Sequence, residues 1–186
     1  MIDLSSIKLS SCKNSKYIQI YQMSYIENNK EKIWDIVHLH DAVLVLIYNI
    51  DNNSLIFVKQ FRPAVFLRNN DGYMYELCAG IVDKEGKSKE QIAIEEVYEE
   101  CGYKVENLEK IAEFYSSVGT SGNKQSIFFT EVKNNDKVSL GGGIDDEFIE
   151  IVEIKLENIK SILAKPNITS SLGYAIMWFM INKQRV

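Results

Sequence analysis

"YELCAGIVDKEGKSKEQIAIEEVYEECGYKV", residues Tyr75 to Val105, places Glu95, Glu96, Glu99 and Glu100 in one predicted helix. Like charges three and four apart on a helix repel by about 0.2–0.5 kcal/mol per pair, so these acids call for a counter-charge or a solvated face. The helix has a clear start, since Ser88 followed three residues later by Gln91 spells a capping box, and Gly102 ends it. At about 100° per residue, Ala93, Val97 and Cys101 share one stripe, with Ile94 and Tyr98 beside them, and this stripe faces the core. Glu100 falls next to it, Glu96 next round, and Glu99 and Glu95 furthest out. Glu96 and Glu100 are thus an i, i+4 pair at the rim of the buried face, where unpaired carboxylates are costly. A solvated acidic face is the competing reading. Against it stands the approach to the helix: a strand ending in Ala79-Gly80 and a loop with Gly86, a turn-rich connection suited to bringing backbone carbonyls to the helix edge. Carboxylate and carbonyl oxygens are the ligands that Mg²⁺ and Mn²⁺ prefer.

A chain of 186 residues, 46% hydrophobic and 25% charged, suits one globular domain with a real core. The net charge of -5 argues against nucleic acid as a partner, because backbone binding rests on Lys and Arg neutralising phosphates. An anionic ligand must then be met by local cations or by metal. Cys12, Cys78 and Cys101 are odd in number and form no C-x-x-C pair, which suggests neither a disulfide framework nor a zinc ribbon and fits a reducing cytosol. The N-terminus lacks an apolar core of signal-peptide length, and "LGYAIMWFMI" is too short to span a bilayer, so no membrane association and a cytoplasmic location are expected.

Outward from the helix, "AVLVLIYNI" (Ala42 to Ile50) and "SLIFVKQF" (Ser54 to Phe61) read as a hairpin joined by "DNN". After a polar break at Asn69 to Gly72, one strand runs to Gly80; "KIAEFYSS" and "QSIFFTEVK" form another strand pair, and "FIEIVEIKL" alternates like a half-buried strand. Two helices close the chain, the second capped by Thr169 or Ser170. The loop "GGGIDDEFIE" brings Asp145, Asp146 and Glu147 just before a strand, with three glycines that would let it move over a site. Arg62 sits at a strand end, where a guanidinium suits bidentate phosphate contact, the competing role being a surface salt bridge.

The segment "AGIVDKEGKSKEQIAIEEVYEECGY" resembles the Nudix box, whose usual form is G, five residues, E, seven residues, then R-E-U-x-E-E-x-G-U, with U bulky and aliphatic. Glu96, Val97, Glu99, Glu100 and Gly102 fit its second half. "KIWDIVHLHDAVLVLIYN", "LIFVKQFRPAVF", "VGTSGNKQSIFFTEV" and "GGGIDDEFIEIVEI" resemble the uridine diphosphate glucose pyrophosphatase branch. The resemblance implies an α/β/α Nudix sandwich with a mixed sheet: a β-rich arm in residues 1–40, then a hydrolase domain in residues 41–186. It implies an arm that crosses to a second subunit, hence a homodimer in which Trp34 stacks in the neighbour's base pocket. The implied reaction is Mg²⁺-dependent hydrolysis, with Mn²⁺ as a substitute, of UDP-glucose to UMP and glucose 1-phosphate. ADP-ribose hydrolysis to AMP and ribose 5-phosphate is the near alternative. A non-catalytic nucleotide-sugar-binding module is the alternative of another class, disfavoured by the survival of Glu96, Glu100 and the acidic loop.

By the same resemblance Glu96, Glu100 and the Ala79 carbonyl hold the metal, Glu99 bridges or binds a second ion, Glu147 is a further ligand and Asp145 is the base. Two departures stand out. Gly80 to Gly102 is one residue longer than the usual spacing, so Glu85 only approximates the first box glutamate. Glu95 occupies the place of an Arg or Lys that usually helps to orient the metal-binding carboxylates.

Overall fold

In the computed structural model, which describes residues 2–12, 14–15, 18–144 and 147–183, the chain first forms a hairpin of β1 (Gln19–Glu27) and β2 (Lys30–His38). Its turn residues Asn28 and Asn29 both have positive φ, which asparagine tolerates. The hairpin is a sheet of its own, tied to the body where Val37 N–H donates to the Thr120 carbonyl at 2.8 Å.

The main sheet is made of β3 (Ala42–Asn49), β4 (Ser54–Phe61), β5 (Tyr73–Glu76), β6 (Cys78–Ile81), β7 (Glu109–Tyr115), β8 (Lys124–Val132) and β9 (Glu150–Lys155). Its order is β5-β4-β3-β8-β7, with β6 pairing the start of β3 and β9 pairing β4; β3 and β8 are parallel and the other pairs antiparallel. The helices are α1 (Pro63–Asn69), α2 (Lys89–Cys101), α3 (Ile159–Leu163) and α4 (Ser170–Asn182).

The unbroken apolar run of β3 reflects burial on both faces, as expected of a strand covered by helices on each side. Val43, Val45 and Ile47 pack with Ala93, Val97 and Cys101 of α2, whereas Leu44 and Leu46 pack with Ile159 and Ile162 of α3 and Leu172 and Ile176 of α4. Each such aliphatic side chain contributes about 1.5–3 kcal/mol by leaving water, so the two layers hold the sheet from both sides. The fold is therefore the expected α/β/α sandwich with a mixed sheet. Asp41 clamps its entrance, accepting from Lys124 N–H at 2.8 Å and from the Lys89 ammonium at 3.0 Å.

Three local features differ from the sequence reading. No helix is anticipated after Phe61, yet α1 forms there, with Pro63 in its first turn and Asn70 closing it in the left-handed region. The single strand expected up to Gly80 divides at the fully buried Leu77, because β5 pairs with β4 and β6 with β3. On α2 the buried face is Ile92, Ala93, Val97, Glu100 and Cys101, while Tyr98 is 49% exposed, so the arc is rotated toward the glutamates.

The ends of α2 agree with the reading. Ser88 Oγ accepts from Gln91 N–H at 3.1 Å and the Gln91 side chain accepts from Ser88 N–H at 2.9 Å. Gly102 closes the helix at φ 77°, where a Cβ would collide with the Ser139 carbonyl. Thr169 caps α4, its hydroxyl accepting from Leu172 N–H at 3.3 Å. No described helix is long and apolar enough to cross a membrane.

Candidate active site

β6 runs into a loop that returns as α2, and the two elements meet at a carboxylate. Glu100 is 4% exposed, and its Oε2 accepts from Ala79 N–H at 2.9 Å. One residue on, a Cβ on Gly80 would collide with the Glu96 side chain, so any larger residue there would force that carboxyl group to shift.

The third acid arrives by a different route. Gly142 N–H donates to the Glu100 carbonyl at 2.8 Å and Gly143 N–H to the Glu99 carbonyl at 3.1 Å. These carbonyls lie in the last turn of α2, where no intrahelical donor remains. The triple-glycine loop is docked on the helix end, and Glu147 lies in the same cleft as Glu96 and Glu100. Glu147 Oε2 accepts from Ile144 N–H at 3.3 Å.

The cleft has a volume of about 340 Å³ and also takes in Ala79 and Arg62. Arg62 grips Glu76 through Nε and Nη2, both at 2.7 Å, which leaves its Nη1 edge for another acceptor. Glu99 is not on the cleft wall. It faces the outer side of the loop, where the Lys84 ammonium is 3.1 Å from Glu95, 3.9 Å from Glu96 and 4.0 Å from Glu99. Lys87 reaches Glu95 at 2.6 Å, and Lys87 and Lys84 together hold the Glu95 carboxyl below its ordinary pKa.

Burial, reinforced by Glu99 and Glu147, raises the Glu96 pKa to about 7. Burial raises that of Glu100 to about 8, outweighing the stabilising donation from Ala79 N–H and the Cys78 thiol. The Cys78 thiol is itself pushed well up by burial. Among the described residues, no three acidic, histidine or cysteine side chains already stand close enough to enclose an ion. The donor set still suits a hard divalent cation, because carboxylate oxygens converge on one cleft with no described cation of the chain between them that neutralises them all.

Of the residues singled out in the sequence, Ala79, Glu96, Glu100, Glu147 and Arg62 meet at this cleft. Asp145 and Asp146 lie outside the described residues. Trp34 lies on the hairpin, away from the cleft, and its indole N–H donates to the Gly119 carbonyl at 2.8 Å. Glu76 and Lys84 escape the sequence reading. The signal for Glu76 is an acid within the otherwise apolar run "YMYELC"; that for Lys84 is a loop with two lysines, Lys84 and Lys87, ahead of the acidic helix.

The chain matches the NUDIX domain over residues 38–179. It belongs to the Nudix family. It is 33% identical to uridine diphosphate glucose pyrophosphatase of Mus musculus, over 95% of this chain and 94% of that protein. With GDP-mannose pyrophosphatase of Yersinia enterocolitica it shares 30% identity over 82% of this chain and 81% of the relative. In fold it resembles a solved ADP compounds hydrolase, with a TM-score of 0.71 at 17% identity, covering 95% of this chain and 94% of that one. The chain is thus a Nudix hydrolase, and the enzymatic reading prevails over that of a binding module.

The raised carboxyl pKa values set a pH dependence. From the ordinary 4.5 up to about 7 for Glu96 and about 8 for Glu100, the folded chain holds protons that the unfolded chain releases. Stability from these groups is full below about 4.5 and is lost as pH rises through the folded values. In chelator, the Tm of the wild type should fall from pH 5 to pH 8.5, and Glu100→Gln should flatten part of that fall. A Tm curve in which the variant parallels the wild type would remove Glu100 from this role.

Proposed function

We propose that this Nudix hydrolase cleaves the pyrophosphate bond of a nucleotide sugar, with UDP-glucose preferred and UMP and glucose 1-phosphate as products. The supporting observation is the meeting of Glu96, Glu100, Glu147 and Arg62 at one cleft, in a chain similar over nearly its whole length to uridine diphosphate glucose pyrophosphatase. A cleft lined with carboxylates repels a diphosphate unless cations intervene. Hydrolases of this family act with a divalent metal ion, and Mg²⁺, with Mn²⁺ as a substitute, is the ion we assign. Glu96, Glu100, Glu147 and the Ala79 carbonyl would hold it, with Glu99 bridging or holding a second ion. Bound there, it would offset charge on the diphosphate and lower the pKa of a coordinated water.

The chain's own residues supply the rest. The Ala79 N–H fixes one Glu100 oxygen, so the other stays turned to the ligand. Glu76 holds the Arg62 guanidinium in place, and its free edge grips a phosphate. Asp145 takes a proton from the attacking water, a task typically worth about 10²–10⁴-fold in rate. The water oxygen bonds to phosphorus while the bridging P–O bond breaks, and its electron pair leaves with the second phosphate. ADP-ribose, giving AMP and ribose 5-phosphate, remains the near alternative. Incubation with Mg²⁺ and a panel of UDP-glucose, GDP-mannose and ADP-ribose, with products separated by chromatography, should show the highest kcat/KM for UDP-glucose. Glu100→Gln, still folded, should lose about 10²-fold in rate or about 2.7 kcal/mol of transition-state stabilisation. Cleavage of none of the three, or undiminished turnover by the variant, would contradict the proposal.

The arm adds a second subunit to this reading. Every residue of β1 is exposed, with Ile20 at 76% and Ile26 at 71%. The cross-strand pairs Tyr21 with Ile36 and Met23 with Trp34 line one face, and a lone two-stranded ribbon is marginal in water. A second copy of the chain is the cover we assign, the arm crossing to it and Trp34 stacking on the base in its pocket. The chain should sediment as a dimer, and Trp34→Ala should raise KM more than it lowers kcat, since stacking binds ground and transition states alike. A fully active monomer would refute the arrangement.

A further inference from the structure

Lys84 stands in the loop between β6 and α2, and its ammonium is surrounded by three carboxylates of one helix. Glu95 is a direct partner at 3.1 Å, while Glu96 at 3.9 Å and Glu99 at 4.0 Å flank it more loosely. Glu95 is held in turn by Lys87 at 2.6 Å. The chain therefore carries, on the side of α2 where Glu99 lies, a cation fixed by an acid that takes no part in the cleft wall, placed between two acids assigned to the metal.

We propose that Lys84 is a positioning residue for the metal-binding carboxylates: Glu95 anchors it, and it sets the direction of Glu96 and Glu99. The inference rests on the metal assignment of Glu96 and Glu99 made above. An ammonium suits this role because it is a compact charge with three donors and no fixed fork, so it can attract several oxygens at once. It also offsets the repulsion between Glu96 and Glu99, which lie three residues apart on the helix. Without it these side chains would swing apart, and an arriving ion would have to gather them. Lys84 does not line the cleft and is a third exposed, at 33%. Ion pairs this open contribute little to folding, so its effect falls on ligand orientation.

The test is Mn²⁺ binding to the substrate-free protein, followed by electron paramagnetic resonance of the free ion, with thermal melting to verify folding. Lys84→Met should bind Mn²⁺ about 10- to 100-fold more weakly, the usual cost of losing a residue that orients metal ligands. Lys84→Arg keeps the charge and should stay near the wild type. Lys87→Met, which removes a contact to Glu95 alone, should also stay near it. Placing the cation on the helix instead, in Lys84→Met with Glu95→Arg, should recover most of the lost affinity. Equal or tighter Mn²⁺ binding by Lys84→Met would overturn the inference, since a lysine that only repelled the ion would give that result. Saturable binding by the wild type that Glu96→Gln abolishes verifies the metal assignment separately; its absence would overturn that assignment and this inference with it.

Discussion

The hydrogen bond from Ala79 N–H to the Glu100 carboxylate is the joint on which the site depends. It fastens the strand before the loop to the helix after it, at a carboxylate that is almost wholly buried. A buried charge is tolerated only where donors or cations meet it. The surrounding backbone adds further ties between the same elements. Gly80 leaves room for the Glu96 side chain, and Gly142 and Gly143 bond the carbonyls at the end of the same helix, so that Glu147 enters beside the other two acids. Gly80 lies at the end of β6 and Gly142, Gly143 and Glu147 in a loop, and the sheet behind them supplies the fixed reference.

Elements whose periodicity is strong were legible from the sequence. The capping box at Ser88, the stop at Gly102 and the apolar runs of β3, β4 and β8 each carry a local signal that packing does not override. The close pairing of Glu96 with Glu100 on the rim of the buried face was legible for the same reason. What escaped is tertiary. Whether a short run such as "PAVFLRN" becomes a helix depends on Pro63 and on the turn at Asn70, and the switch of partner at Leu77 depends on which strand edge is free. Neither leaves a periodic trace. The docking of the triple glycine on the end of α2 left no trace in the sequence either, because glycine serves a tight approach as readily as motion.

The electrostatics of the cleft follow one logic. Acids face inward, and the described cations nearest to them are each held by an acid of their own: Arg62 by Glu76 at the cleft wall, Lys84 and Lys87 by Glu95 outside it. Burial, with the neighbouring acids adding to it, raises the pKa of Glu96 and Glu100, and both carboxyls hold protons that an ion would displace. Glu95 is then no flaw in the acidic helix. It is the residue that anchors a lysine beside Glu96 and Glu99 but outside the cleft wall, leaving the cleft for an ion from solution.

If the Glu96 and Glu100 carboxyls await a divalent cation, binding must displace protons, because the metal and the proton compete for the same oxygens. Calorimetric titration of Mg²⁺ at pH 7, in two buffers of different ionisation enthalpy, measures this directly. With pKa values of about 7 and about 8 before binding, the account predicts release of roughly one proton or more per chain. Binding of Mg²⁺ with an identical heat in both buffers, and hence no proton released, would contradict it.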